Sequence, residues 1–236
     1  GCTVGDYDND GHLDLFVATY GDTLLYRNEG GRFREVAADA GLRRNGHYVG
    51  ASWGDADNDG WVDLYVAGYD DARSRDHLFM NRGGRFEDVL PTDSPLQASD
   101  HGVQWADVDG DGDLDVSLTE TFPDEGRHRL FRNELPASQA SRSLQLRVLD
   151  RAGRATRAGA ELRLHDADGQ LLGTRLVATG DGYGAQGDAP VHFGLAGADR
   201  VTVEATFMTR EGRRTQRVEG IHPAEWAGRA FVVREN

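Results

Sequence analysis

The chain has 236 residues, of which 38% are hydrophobic, so it can bury a substantial core. Forty acidic side chains (Asp+Glu 40) against 26 basic ones give a formal net charge of −14, which argues against a nucleic-acid partner. No run approaches the roughly 18 apolar residues that cross a bilayer, and a single cysteine, Cys2, excludes an internal disulfide.

Three stretches of the first half of the chain repeat one another. They read GCTVGDYDNDGHLDLFVATY from residue 1, GASWGDADNDGWVDLYVAGY from residue 50 and GVQWADVDGDGDLDVSLTET from residue 102. Their first aspartates, Asp6, Asp55 and Asp107, are therefore 49 and 52 residues apart. A period near 50 residues with strand-like content is typical of a propeller or a related array.

Each repeat predicts four short strands. The first two, such as GASWGD and LDLFVATY, show β-branched and aromatic alternation and are joined by an Asp-Gly-rich loop. LLYRN and GRFREV then predict a hairpin that turns at Glu29-Gly30-Gly31. The third repeat stops after RLFRNE, before its last strand. We therefore predict an all-β fold that begins with a partial β-propeller of three four-stranded blades, the last one shortened.

The start of the chain aligns with the interior of the second repeat, Gly1 with Gly50 and Cys2 with Ala51. The chain is therefore expected to open inside an innermost strand, with further blades missing upstream, because a closed ring typically needs four to eight. Cys2 is predicted to be a small, buried core residue.

A change of composition near Ser141 marks a second predicted unit. SLQLRVLD, AELRLHDADGQLLGTRLV, VHFGL, RVTVEATFM and TQRVEGI alternate like the strands of a small antiparallel β domain. The predicted domains are residues 1–140, the blades, and residues 141–236.

The loop DYDNDGHLD of the first repeat has the spacing of a calcium site. Counting Asp6 as position one, carboxylates stand at positions one, three, five and nine, glycine stands at six, and the carbonyl of His12 falls at seven. Ca²⁺ binds six to eight oxygens, and helix-loop-helix calcium sites open with the same positions. Gly11, Gly60 and Gly112 allow a positive φ, which lets each loop fold back over an ion.

Other interpretations of these loops fit less well. A helix-loop-helix site expects a glutamate at position twelve, where Val17, Val66 and Leu118 stand in predicted strands. Mg²⁺ prefers a tight octahedron with retained waters. Solvated Asp-Gly turns would need no ion, but three copies of a four-carboxylate spacing argue against turn chemistry alone.

DYDNDGHLDLFV and its two copies resemble the FG-GAP, or VCBS, repeats of integrin-α-like propellers, which bind calcium between the first two strands of a blade. The resemblance covers roughly residues 1 to 134 and implies one Ca²⁺ per blade, three in this chain. It implies the ligands Asp6, Asp8, Asp10 and Asp14, then Asp55, Asp57, Asp59 and Asp63, then Asp107, Asp109, Asp111 and Asp115, with carbonyls from His12, Trp61 and Asp113. The Asp113 carboxylate itself is expected to face water.

The stretch GDGYGAQGDAPVHFGLAGADRVTVEATF, together with RAGAELRLH at 157–165, resembles the ASPIC/UnbV domain. That domain follows such repeats in cartilage-acidic-protein-like and bacterial proteins. Its later Trp-Pro-Ser-Gly turn is replaced here by residues 207–212, FMTREG. The resemblance implies an architecture and no defined mechanism.

The leading functional prediction is a non-enzymatic, calcium-stabilised extracellular or periplasmic binding or adhesion module with an unidentified protein or glycan ligand. Its basis is that the strong motifs are structural metal loops; millimolar extracellular calcium would fill sites of modest affinity. The alternative is a calcium-assisted lyase or cyclase, or a biosynthetic accessory protein, with a site in the propeller channel. A purely structural assembly piece is a third possibility.

The residues that would carry catalysis are few, and no catalytic residue is assigned. Asp100-His101 precedes an innermost strand and would face the channel, although a turn explains it more simply. His192 is more often a packed histidine than a base. Tyr183, Gln186 and Asp188 form a polar cluster in a Gly-rich loop and are a candidate ligand contact, although a turn that holds the β domain together is the favoured interpretation. Trp53 and Trp105 occupy equivalent repeat positions and are predicted to be blade core.

Overall fold

The computed structural model describes residues 1–69, 75–97, 100–120, 128–180, 182–183 and 185–236. Nineteen strands, two one-turn α-helices and one 3-10 helix account for the regular structure of these residues, so the predicted all-β class is confirmed. Across the described ranges, no helix is long and apolar enough to cross a membrane.

The first repeat forms a four-stranded antiparallel sheet. Its chain order is β1 (Cys2–Gly5), β2 (Asp14–Val17), β3 (Tyr20–Asp22), β4 (Leu24–Asn28), β5 (Phe33–Glu35) and α1 (Ala37–Ala40). The sheet has the order β1-β2-β4-β5, while β3 leaves it and joins the next one. The predicted hairpin of β4 and β5 is confirmed.

The second and third repeats form the next two sheets. They contain β6 (Asn45–Gly54), β7 (Asp63–Gly68), β8 (His77–Asn81) and β9 (Phe86–Asp88), followed by β10 (Asp100–Ala106), β11 (Asp115–Glu120) and β12 (His128–Phe131). The sheet orders are β3-β6-β7-β8-β9 and β10-β11-β12. The third sheet thus has three strands, as predicted from its shortened repeat.

The same strand register closes each aspartate loop. Gly5 pairs with Asp14, Gly54 pairs with Asp63 and Ala106 pairs with Asp115. In all three sheets the ninth-position aspartate therefore lies opposite the residue just before the first aspartate. The three loops project from the same end of their sheets.

Neighbouring blades pack through a tryptophan and a glycine. A Cβ on Gly5 would lie 2.9 Å from the Trp53 ring, and one on Gly54 would lie 2.7 Å from the Trp105 ring. Glycine is required at these two positions because the indole of the next blade occupies the space of a side chain. Trp53 and Trp105 are buried, which confirms them as blade core.

The remaining chain forms two further sheets. After α2 (Ala137–Ala140) come β13 (Ser143–Leu149), β14 (Glu161–His165), β15 (Leu171–Leu176), β16 (Val191–Gly194), β17 (Val201–Thr209), β18 (Gly212–Ile221), a 3-10 helix (Pro223–Trp226) and β19 (Phe231–Arg234). The sheet orders are β16-β13-β19 and β15-β14-β17-β18. We call residues 141–236 the C-terminal region.

Three expectations need correction. The C-terminal region is not purely antiparallel, because β13 and β19 pair in parallel, and its two sheets share one core that includes Leu146, Leu164 and Phe207. The described chain therefore contains five sheets in a propeller-like arrangement, instead of three blades and a separate small domain.

Cys2 is exposed, because its side chain alternates with buried Thr3 on an edge strand. The boundary at residue 140 stays a prediction.

Candidate metal centres

The first aspartate of each loop is fixed by backbone N–H groups of its own loop. Asp6 accepts hydrogen bonds from the N–H groups of Asp10 at 3.0 Å and Gly11 at 3.1 Å. Asp55 does the same with Asp59 at 3.1 Å and Gly60 at 2.9 Å. The predicted positive φ of the sixth-position glycine is confirmed, with 89° at Gly11, 93° at Gly60 and 101° at Gly112.

The aspartate at position nine joins its loop to the outer hairpin of the blade. Asp63 accepts hydrogen bonds from the N–H groups of Ala56 at 2.8 Å and Asn81 at 2.7 Å. Asp14 and Asp115 have the equivalent partners in their own blades. These carboxylates are almost completely buried, since Asp14 and Asp63 are 0% and Asp115 is 1% exposed.

The geometry brings carboxylates together in every loop. Three groups of aspartates have ligand atoms within 4.8 Å of one another and could hold a metal ion: Asp6, Asp8 and Asp10; Asp55, Asp57 and Asp63; Asp107, Asp109 and Asp115. The predicted carboxylate ligands outside these groups are Asp14, Asp59 and Asp111. His12 and Trp61 donate their backbone N–H groups to the fifth-position aspartates Asp10 and Asp59, each at 2.9 Å.

The aspartate at position three of the loop carries the oxygen atom that best fits a cation. Asp8 Oδ1 and Asp57 Oδ1 are buried and have no hydrogen-bond partner in the described part of the chain. A buried, unpaired carboxylate oxygen is costly, and a bound cation would remove that cost. Hard divalent ions such as Ca²⁺ prefer such oxygen ligands, so the residues fit the ion that the spacing indicates.

Burial also opposes ionisation of these carboxyl groups. Desolvation raises the pKa of Asp14 and of Asp55 to about 7, and it raises the pKa of Asp63 well above its ordinary value. The charge of Arg175 at Asp55, and hydrogen bonds from backbone N–H groups at all three residues, lower these pKa values again, but by less than burial raises them. The loops therefore concentrate negative charge where water cannot stabilise it, and a cation would favour the ionised forms.

One arginine per loop partly neutralises this charge, and the sequence interpretation missed it. Arg27 contacts Asp8 at 2.8 Å and Asp10 at 3.2 Å, and Arg132 contacts Asp109. Arg27 and Arg132 occupy the same place in the repeat, just before an asparagine. This repeated Arg-Asn pair is the sequence pattern from which the two arginines could have been identified. In the second blade Met80 takes that place, and Arg82, two residues later, contacts Asp57 and Asp59.

Asparagines connect neighbouring loops, which sequence reasoning also missed. Asn9 and Asn58 have φ values of 52° and 56°, and their side chains donate to the carbonyls of Gly60 and Gly112 in the next loop, each at 3.1 Å. From the outer hairpin, Asn81 donates to Tyr7 O at 2.7 Å in the preceding loop. The loops therefore form one connected layer.

The C-terminal region covers this layer. Arg163 donates to Gly11 O at 2.9 Å, and Gln145 donates to Asp107 Oδ2 at 2.6 Å. Gly194 lies so close to Asp55 that a Cβ there would be 2.0 Å from Asp55 Oδ2. Every one of the three loops thus contacts residues beyond position 141, which repeat periodicity alone could not reveal.

The expectation that the Asp113 carboxylate faces water is wrong. Asp113 is 0% exposed, and its Oδ2 accepts a hydrogen bond from Leu135 N at 3.0 Å. The chain that follows β12 folds over the third loop and excludes solvent from this side chain. Burial raises the Asp113 pKa to about 6.

The other candidate residues do not form one site. His192 is buried and its Nε2 lies 3.3 Å from Gly112 O, while burial lowers its pKa to about 4. His101 stacks on Tyr69 with ring centroids 4.7 Å apart, and the Asp100 side chain lies outside the described part. Tyr183 meets His101 edge-on, whereas Asp188 pairs with Arg147 at 3.1 Å. Gln186 is exposed.

The profile of the FG-GAP-like repeat matches residues 6–66 and 55–117. Residues 6–117 carry FG-GAP-like repeats. This confirms the first resemblance drawn from the aspartate loops; the matched ranges include all three candidate metal centres. A search of the curated proteins finds no match.

Among solved structures, an Agrocybe aegerita lectin is similar at 17% identity, with a TM-score of 0.32 over 96% of this chain. That structure is described as showing the basis of specific recognition of non-reducing terminal N-acetylglucosamine. This chain spans about half the length of the lectin chain, 54%.

Proposed function

We propose that this chain is a non-enzymatic, calcium-stabilised binding module that works outside the cytosol, with one Ca²⁺ in each FG-GAP-like loop. The observation that supports it best is the pair of buried, unpaired oxygens, Asp8 Oδ1 and Asp57 Oδ1, each inside a cluster of aspartates. Such a cluster is stable when a cation neutralises it, and FG-GAP-like repeats typically occur in extracellular proteins, where calcium is abundant.

The proposed ligands are the carboxylates of positions one, three, five and nine with the carbonyl of position seven. They are Asp6, Asp8, Asp10, His12 and Asp14; Asp55, Asp57, Asp59, Trp61 and Asp63; and Asp107, Asp109, Asp111, Asp113 and Asp115, with His12, Trp61 and Asp113 acting through their backbone. When an ion binds there, Arg27, Arg82 and Arg132 would have to share with it the carboxylates at positions three and five of their loops.

In this proposal calcium also fixes the C-terminal region on the blades. Because Arg163, Gln145 and Gly194 contact the three loops directly, ordering the loops orders the surface on which the region sits. We further propose, from the sequence resemblance, that residues 141–236 are an ASPIC/UnbV-like domain.

The test is calcium binding to the full chain, measured by isothermal titration calorimetry and by metal analysis after dialysis. Three equivalents of Ca²⁺ with weaker Mg²⁺ binding are expected. A protein that retains no Ca²⁺ at millimolar concentration would refute the metal proposal. Glycan and protein arrays, probed in calcium, would test the binding role, and cell fractionation would test the location.

A further inference from the structure

A cavity of about 120 Å³ lies between the blades and the C-terminal region. Trp53 and Trp105 from the innermost strands β6 and β10 form one side, together with Gln104. Arg175 and His192 from the C-terminal region form the other. Asp55 is the one proposed metal ligand among its lining residues, so the cavity borders the second metal centre but is formed mainly by other residues.

Four of the lining residues each carry a polar atom that is buried without a hydrogen-bond partner among the described residues: Trp53 Nε1, Gln104 Oε1, Arg175 Nη2 and His192 Nδ1. Trp53 and His192 are each 9% exposed. Native structures leave few buried polar atoms unpaired, and each one carries a desolvation cost. Four such residues around one cavity make it a candidate site for a molecule that completes their hydrogen bonds.

The neighbours of these atoms define what that molecule must offer. His192 Nε2 lies 3.3 Å from Gly112 O, which places the ring proton on Nε2 and leaves Nδ1 as an acceptor. Gln104 Nε2 donates to Trp105 O at 3.3 Å, which leaves Oε1 as an acceptor. Trp53 Nε1 and Arg175 Nη2 are donors. The cavity thus presents two donors and two acceptors.

Neutral hydroxyl groups match this set best. A hydroxyl both donates and accepts, so neighbouring hydroxyls can serve all four atoms, whereas a carboxylate only accepts. An anion that only accepts would pair with Arg175 and Trp53 but would leave the acceptors Gln104 Oε1 and His192 Nδ1 unpaired.

We propose that this cavity binds a small neutral polyol, either free or as the hydroxyl-bearing end of a saccharide. An apolar cavity of about 150 Å³ admits benzene, so about six non-hydrogen atoms fit here. The indoles of Trp53 and Trp105 supply apolar surface for the carbon atoms of such a ligand. This inference rests on the proposed binding role and names a site and ligand class for it.

The test is saturation-transfer NMR on the full chain in calcium, with glycerol, methyl glucoside and glycolate as probes. Glycerol is expected to bind with a Kd in roughly the millimolar range, as befits so small a ligand. Binding by methyl glucoside as well would identify a saccharide end as the occupant, whereas binding by glycerol alone would identify a free polyol. Glycolate binding without glycerol binding would overturn the neutral-ligand assignment.

Gln104→Leu removes one acceptor at nearly constant size and should weaken glycerol binding about tenfold, the effect of one lost hydrogen bond. Its melting temperature should fall only slightly, because the lost Oε1 has no partner and the lost Nε2 donates only to Trp105 O at 3.3 Å. Gln216→Leu, whose side chain bonds Arg234 O away from the cavity, is the matched control and should bind like the parent. Trp53→Phe provides a second variant, which removes the Nε1 donor together with part of the indole surface.

Absence of signal from all three probes with the parent would show a cavity filled by water and would overturn the proposal. Equal binding by the parent, Gln104→Leu and Trp53→Phe would place the ligand elsewhere and would also overturn it. Either failure leaves the calcium proposal intact, because that proposal is tested separately by metal stoichiometry.

Discussion

Asp57→Ala should reduce stability in calcium far more than in chelator. Asp57 is chosen because its Oδ1 is buried and unpaired, while its Oδ2 lies 3.0 Å from Arg82 Nη1. With calcium at a hundredfold excess over Kd, a filled site contributes about 2.7 kcal/mol to the free energy of unfolding. A variant that no longer fills the site loses that contribution.

In EGTA the same substitution removes only the Arg82 contact. The Arg82 side chain is 50% exposed, and an ion pair of that kind contributes at most about 0.5 kcal/mol. Removing the unpaired oxygen and one of several repelling carboxylates offsets part of this loss. Because the Arg82 contact is lost in both buffers, the difference between them is the calcium contribution itself, about 2.7 kcal/mol, which corresponds to roughly 5–11 °C in Tm for a chain of this size.

The assay is thermal unfolding followed by circular dichroism, with millimolar calcium or with EGTA, for the parent, Asp57→Ala and Asp93→Ala. Asp93 is an exposed aspartate outside the loops, so its substitution removes the same charge and should change Tm little in either buffer. An equal loss for Asp57→Ala in both buffers would mean that Asp57 is not a ligand. A parent whose Tm ignores calcium would refute the metal reasoning as a whole.

Three further outcomes are expected. Asn58→Ala should destabilise the protein by about 1–3 kcal/mol, because it removes the hydrogen bond to Gly112 O and places alanine at a φ of 56°. Asn58→Gly removes the same hydrogen bond but tolerates the positive φ, so chemical denaturation of both variants should separate the two causes. In EGTA, stability should fall as pH rises from about 4 to 7, because Asp14 and Asp55 keep their protons to about pH 7 when folded but lose them near 3.8 when unfolded. His192, whose pKa burial lowers from 6.5 to about 4, acts in the opposite sense below pH 6.5 and offsets only part of this fall. Melting curves at pH 5 and 8 check the net fall, and a Tm that rises instead would contradict the raised pKa values. Gly194→Ala should reduce the free energy of unfolding by about 1–3 kcal/mol, since its Cβ would collide with Asp55. Limited proteolysis should then cut between the blades and the C-terminal region. Unchanged proteolysis would argue against packing of the C-terminal region on the second loop.

The sequence by itself determined the elements that depend on local chemistry. Alternation and turn residues predicted the strands of the three repeats, and the Asp-x-Asp-x-Asp-Gly spacing predicted loops whose glycines take positive φ, because both depend on residues within a few positions of one another. The repeat also predicted Trp53 and Trp105 as core, since equivalent positions fill equivalent space.

Only the tertiary structure decided how the units meet. The two C-terminal sheets, the parallel pairing of β13 with β19 and the burial of Asp113 depend on contacts between residues far apart in the chain, for which strand periodicity carries no signal. The same holds for the cavity, whose polar walls combine Gln104 of a blade with His192 of the C-terminal region. Pairing across such distances is set by packing, because it is the fold that determines which buried polar atoms become neighbours.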